Sequence, residues 1–213
     1  MLRGRFITIE GSEGAGKSTA MQFISDYLKN INKEFILTRE PGGTLLAEEI
    51  RQVLLHSKGT ETINATTELL LMFAGRSQHI SECIQPALHA NKWVVSDRYI
   101  DASYAYQCGG RRLDINAIKW LDHFVVGSLY PDLTLLLDIP VDLGCARAEK
   151  RNVEKDRIEQ EKMDFFVRVR NTYLERAKED PGRIKIIDAS QSLPLVQDQI
   201  RRILDEFIKS VDR

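Results

Sequence analysis

Phe6-Ile7-Thr8-Ile9-Glu10-Gly11-Ser12-Glu13-Gly14-Ala15-Gly16-Lys17-Ser18 joins an apolar, β-branched run to a glycine-rich turn. The first part has the composition of a buried strand. From Gly11 to Ser18 every fixed position of the pattern G-x-x-x-x-G-K-[ST] is filled. Thr19 to Leu28 then places apolar residues at helical spacing. Strand, glycine loop and helix in this order predict a phosphate cradle. Glycines let the loop amides converge on phosphate oxygens, and the helix adds free N–H groups and the positive end of its dipole. Lys17 brings a cation to the terminal phosphates, and the Ser18 hydroxyl suits Mg²⁺. The expected ligand is a nucleoside triphosphate with magnesium, held by Gly11, Ser12, Glu13, Gly14, Ala15, Gly16, Lys17, Ser18 and Thr19.

Composition narrows the class. The chain has 213 residues, 43% of them hydrophobic, enough for a sizeable core in one large domain or in one domain with an insertion. Thirty Lys+Arg against 31 Asp+Glu leave a net charge of -1, which excludes a global field for nucleic acid or anionic membrane. Cys83, Cys108 and Cys145 are widely spaced and odd in number, a pattern of reduced thiols rather than a disulfide framework. Met1 to Arg5 runs directly into the first strand, and no apolar run is long enough to span a membrane. A cytoplasmic enzyme is expected. His56, His79, His89 and His123 lack metal-ligand spacing and are assigned no catalytic role.

Four further apolar runs read as strands: 35–38, 93–96, 133–137 and 184–187. They alternate with helical periodicity over 68–90, 116–126, 163–178 and 194–211. Strands separated by helices imply right-handed parallel crossovers, hence an α/β fold: a doubly wound, five-stranded parallel sheet flanked by helices, in a single domain over 1–213. Ligands of such sheets sit beyond the carboxyl ends of the strands. There stand Arg39-Glu40-Pro41-Gly42-Gly43-Thr44 after the second strand and Asp97-Arg98-Tyr99 at the third. Asp97 can hold the magnesium shell, and the planar fork of Arg98 suits a phosphate.

With these segments the chain resembles the thymidylate kinases of the bacterial type. The resemblance is carried by 6–19, by Thr38 to Thr44, by Ser96-Asp97-Arg98-Tyr99, by Ser103-Tyr104-Ala105-Tyr106-Gln107 and by Asp156-Arg157-Ile158-Glu159, all in the family's order. It implies a nucleoside monophosphate kinase of the phosphate-loop type. Such an enzyme transfers the γ-phosphoryl of ATP to dTMP, uses Mg²⁺ and is usually a homodimer. It further implies that Glu13 lies near the acceptor's sugar and phosphate, that Arg98 holds the acceptor phosphate, and that Tyr106 closes off the sugar's 2′ side. Ser103 and Gln107 would lie near the base, Arg39 and Pro41 at the acceptor site, and Arg76 at a thymine carbonyl.

Many relatives stack a phenylalanine four residues before that arginine. Here Met72 stands at that spacing and Phe73 three before, so Phe73 is taken as the stacking side chain with Met72 as the alternative. The resemblance also implies a cis Glu40–Pro41 peptide and a lid around 147–161. In that lid Arg147 would stack on adenine, and Arg151 and Arg157 would meet the transition-state charge alongside Lys17 and Arg98. A nucleotide-operated switch is the rival class. It would want an Asn-Lys-x-Asp segment or an Asp-x-x-Gly switch after a strand, and the chain has neither.

Overall fold

The computed structural model describes residues 4–56, 62–150 and 156–211. Five strands, β1 (Phe6–Glu10), β2 (Phe35–Arg39), β3 (Trp93–Asp97), β4 (Leu133–Asp138) and β5 (Ile184–Asp188), form one sheet in the order β2-β3-β1-β4-β5. Every neighbouring pair is parallel. All four strands expected beyond the first are present, each a residue longer at its carboxyl end than its apolar run. Strand β1 is buried throughout, as a central parallel strand covered on both faces must be.

The helices are α1 (Lys17–Asn30), α2 (Leu45–His56), α3 (Ala65–His79), α4 (Gln85–His89), α5 (Ile100–Ser103), α6 (Ile115–Leu121), α7 (Val141–Glu149), α8 (Met163–Glu179) and α9 (Leu193–Val211). Ile7 and Ile9 face one core with Ile24 and Leu28 of α1 and Ile200 and Leu204 of α9. Phe6 points the other way, into a core with Leu69 and Phe73 of α3 and Ile118 of α6. A third cluster, with Leu54, Tyr106, Phe165 and Val169, packs α2 and α8 together with Leu136 of β4 and Ile184 of β5. The alternation along β1 is the period of a strand and gives the sheet its two helical layers.

Expected helix limits need adjusting in two places. The segment expected over 68–90 starts earlier, at Ala65, because the Asn64 side chain caps it by accepting from Thr67 N at 2.8 Å. It then runs through a π-helical turn, Ile80–Ile84, into α4. Two further π-helical stretches follow α5 (Tyr104–Gly110) and α6 (Asp122–Val126). Such stretches add residues per turn and shift the phase of the side chains that follow.

Candidate active site

The loop after β1 has the geometry of a cradle. Gly14 has φ 72°, and a Cβ there would come within 1.9 Å of the Gly144 carbonyl oxygen, so only glycine fits. Gly16, at φ 91°, caps α1, whose first residue is Lys17. The Lys17 side chain is buried, its ammonium donating to the carbonyls of Gly11 (3.2 Å) and Ser12 (3.1 Å). Burial, then the nearby Arg98 guanidinium, lower its pKa. Ser18 and Thr19 are exposed beside it.

Asp97 and Arg98 close β3 against this loop. Asp97 Oδ1 is buried and has no hydrogen-bond partner among the described residues. An orphaned carboxylate oxygen beside Ser18, on one wall of the same cavity, is a donor set suited to magnesium or its waters. Arg98 has φ 71°, a rare backbone state for an arginine. Its Nη2 donates to Glu13 Oε1 at 2.5 Å and its Nη1 to Gly11 O at 3.0 Å, while the guanidinium lies 4.7 Å from the Tyr106 ring centre. The Tyr106 hydroxyl donates to the same Glu13 oxygen at 3.3 Å. Glu13, Arg98 and Tyr106 thus form one cluster.

The cavity they border has a volume of about 500 Å³ and extends to Arg39, Pro41 and Arg51. The Glu40–Pro41 peptide is cis, as expected. Arg39 pairs with Glu48 at 2.9 Å. A second cavity of about 300 Å³ lies on the other flank of the loop, between Gly16, Thr19 and Gln191. Arg147 borders both cavities and donates to Ala189 O at 2.8 Å.

Several expected side chains stand behind the cavity wall. Arg76 is buried and donates to Glu40 Oε2 (2.8 Å), Ser103 Oγ (2.9 Å) and Tyr99 O (3.0 Å). Phe73 does not reach the cavity. Its ring lies in the core with Phe6 and Tyr99, 4.8 Å from the Arg76 guanidinium. Met72 packs instead into the cluster of Leu55, Tyr106 and Ile158, three residues that do line the cavity. The i, i+3 spacing brings Phe73 to its arginine, but on the core side of the helix. Gln107 is fully buried, donating to Glu68 Oε1 at 2.9 Å with its own Oε1 unpartnered among the described residues.

Arg157 also departs from its expected place beside the transferred group. It donates to Glu68 Oε2 (2.5 Å) and Leu54 O (2.9 Å). The cause is Glu68, a carboxylate 1% exposed, which must be compensated. Burial opposes its charge, but Arg111, Gln107 and Arg157 outweigh that and hold it below the ordinary carboxylate range. Arg151 lies outside the described residues.

Sequence reading missed Arg51, His79, Glu40, Glu10 and Tyr173. Arg51 of α2 lines the cavity and donates to Pro41 O at 2.8 Å. His79 Nδ1 donates to Glu40 Oε1 (3.0 Å), and its Nε2 lies 2.7 Å from Thr38 Oγ1. Burial works against its charge, but Cys83 and Glu40 push its pKa up to about 9. Glu10 accepts from Tyr99 N at 2.7 Å and from the Tyr173 hydroxyl at 2.6 Å. Burial, aided by Asp101, pushes its pKa up to about 8. Glu10 and Glu40 stood inside the quoted motifs; Arg51 and Tyr173 had no local signal.

A family model described as thymidylate kinase matches residues 9–200. The chain belongs to the thymidylate kinase family. Among its relatives, the thymidylate kinase of Vesicomyosocius okutanii subsp. Calyptogena okutanii is 55% identical over 204 residues, covering 96% of this chain and 98% of that one. That of Thiobacillus denitrificans is 50% identical over 209 residues, covering 97% and 98%. The crystal structure of thymidylate kinase from Ehrlichia chaffeensis superposes with a TM-score of 0.78 at 33% identity, covering 95% of this chain and 99% of that one. The five-stranded parallel sheet and its helical layers are therefore those of this kinase family.

Proposed function

We infer that this chain transfers the γ-phosphoryl group of ATP to dTMP, giving dTDP. The observation that carries the reading is the convergence of the phosphate loop, Asp97 and the Glu13–Arg98–Tyr106 cluster on one cavity. A nucleotide switch needs the loop but not a second anion site behind it. Triphosphate sits on residues 11–18, with the adenine side toward Arg147 and the smaller cavity. The acceptor phosphate sits on Arg98, within reach of the loop. Its oxygen attacks the γ-phosphorus in line, so no side-chain nucleophile is required. Catalysis is positioning plus neutralisation of charge on the transferred group, with Lys17 as the mobile cation.

Ser18 and Asp97 would hold Mg²⁺, which would supply charge neutralisation to the bound phosphates. Glu13 accepts from the acceptor's 3′-hydroxyl, and the Tyr106 ring leaves no room for a 2′-hydroxyl. Arg76 reads a thymine carbonyl with its remaining donors, and Ser103 and Gln107 support that wall from behind. Met72, rather than Phe73, would pack against the base, since it joins the cluster of Leu55, Tyr106 and Ile158 at the cavity wall. The segment 147–161 acts as the lid of a single kinase domain, and Arg151 is its remaining candidate for the transition state.

A second copy of the chain is the expected partner. Leu70 of α3 and the stacked pair Trp120 and Phe124 are 54%, 63% and 72% exposed, large apolar side chains of the kind a homodimer interface buries. No helix among the described residues is long and apolar enough to cross a membrane. The three free cysteines suit a reducing cytoplasm.

The test is ADP production from ATP and Mg²⁺ with dTMP, dUMP, UMP, AMP and dGMP offered separately. A strong preference for dTMP is expected. The one-methyl difference from dUMP is worth only about 1–3 kcal/mol, so dUMP should be a poor substrate rather than a silent one. Preference for a purine monophosphate would overturn the acceptor assignment.

A further inference from the structure

Arg98 is oriented from behind as well as from the cavity. Its Nη1 donates to Gly11 O at 3.0 Å and to the Tyr173 hydroxyl at 3.2 Å. Tyr173 belongs to α8, 75 residues away, and is 2% exposed. Its hydroxyl in turn donates to Glu10 Oε2 at 2.6 Å, and Glu10 Oε1 accepts from Tyr99 N at 2.7 Å. The backbone amide next to Arg98 and the guanidinium at its tip are therefore tied to one carboxyl group. That carboxyl stands at the last residue of β1, immediately before the phosphate loop.

A guanidinium has five N–H donors in a fixed fork. The Nη1 corner is occupied by the protein, and Nη2 gives one donor to Glu13. Nε makes no hydrogen bond among the described residues, so the Nε–Nη2 edge is the one left for an anion. That edge can grip a phosphate with two parallel bonds. Which edge faces outward is decided at the Nη1 corner, by the Gly11 carbonyl and the Tyr173 hydroxyl.

We propose that Tyr173, backed by Glu10, is a positioning residue for phosphoryl transfer: it fixes the rotation of Arg98 so that its two-donor edge meets the acceptor phosphate. The relay explains why a residue in no nucleotide-binding motif is buried among Glu10, Arg98 and Tyr106, the last 6.3 Å away ring to ring. It couples the acceptor anion to the strand that carries the donor loop. The proposal rests on the reading that Arg98 holds the acceptor phosphate.

The experiment compares binding of dTMP and of thymidine, which lacks the phosphate, to the full chain by calorimetry. Tyr173→Phe keeps the ring and its packing and removes only the relay hydroxyl. The dTMP dissociation constant should rise about tenfold, the effect of losing one hydrogen bond to a charged group, while thymidine binding stays unchanged. KM for dTMP should rise with KM for ATP unaltered. Measured at pH 9, above the Glu10 pKa of about 8, Glu10→Gln preserves volume but turns an amide donor toward the hydroxyl, and should shift the dTMP-to-thymidine ratio the same way by a smaller factor. Equal losses for both ligands, or no loss for dTMP in either variant, would overturn the relay and leave Tyr173 a packing residue. Arg98→Ala separates the two levels. If it fails to lower the dTMP-to-thymidine ratio, the assignment of Arg98 to the phosphate fails; if it lowers the ratio while Tyr173→Phe does not, the relay alone fails.

Discussion

Replacing Gly144 by alanine sets two known effects against each other. Gly144 lies inside α7, where alanine in place of glycine stabilises a helix by about 1 kcal/mol. A Cβ at this position, however, would stand 2.7 Å from the Glu13 carbonyl oxygen and 3.3 Å from Ile139 Cγ2. Ordinary contact begins at 3.4 Å, so the first of these must open by about 0.7 Å. The obstructing atom is backbone, in the middle of the phosphate loop, and cannot swing aside as a side-chain tip would. Gly14 on the same loop already lies flush against the Gly144 carbonyl, which blocks relief by sliding.

Forcing an extra methyl into such a contact costs roughly 1–3 kcal/mol. The clash therefore outweighs the helix gain, leaving a net loss on the order of 1 kcal/mol. The displaced atoms belong to the ATP cradle, so KM for ATP should rise several-fold, more than KM for dTMP. Urea unfolding followed by far-UV circular dichroism gives the stability change, and steady-state kinetics give the two KM values. A variant more stable by about 1 kcal/mol with unaltered KM for ATP would show that α7 does not press on the loop, and the packing argument would be wrong.

Lys17→Ala should abolish transfer while circular dichroism shows an intact fold; near-normal turnover would refute the role of the loop lysine. Tyr106→Ala should lower the preference for a 2′-deoxy over a ribose acceptor by about tenfold, whereas Tyr106→Phe, which keeps the ring, should preserve it. Unchanged selectivity in the alanine variant would remove the ring from sugar recognition. His79 has a folded pKa of about 9 against an ordinary 6.5, so the native state holds the extra proton between those values. Its contribution, on the order of 3 kcal/mol, is complete below pH 6.5 and is lost as pH rises through 9. Thermal midpoints should therefore fall from pH 6.5 to 9, and His79→Asn should reduce that slope to the part that Glu10, whose pKa of about 8 acts with the same sign, supplies; an identical slope in the variant would place the titration elsewhere.

The sheet and the donor half of the site were legible because their signals are local. A β-branched run followed by spaced glycines admits few backbones, and an aspartate–arginine pair at a strand end needs only the strand to be located. The acceptor half depends on side chains that meet across long separations. Glu68 collects Gln107, Arg111 and Arg157 from 39, 43 and 89 residues away. Nothing near Arg157 in the chain announces that a buried carboxylate will claim it. Phe73 illustrates a subtler failure: spacing along α3 correctly joined it to Arg76, but only tertiary packing decides which of Met72 and Phe73 turns to the cavity. Tyr106 and Gln107 sit on a π-helical stretch, where an ordinary helical period misjudges direction.

The strand order carries a dynamic consequence. The glycine loop rises from β1, hydrogen-bonded to a strand on each flank, while the turn around Pro41, which the proposed function gives to the acceptor, rises from β2, which has one neighbour and a half-solvated surface. Releasing β2 breaks a single ladder, whereas releasing β1 dismantles the sheet. Amide exchange should therefore reach the acceptor rim through sub-global openings that leave the nucleotide cradle folded. Under the proposed function, the donor would meet a rigid half of the protein and the acceptor a breathable one.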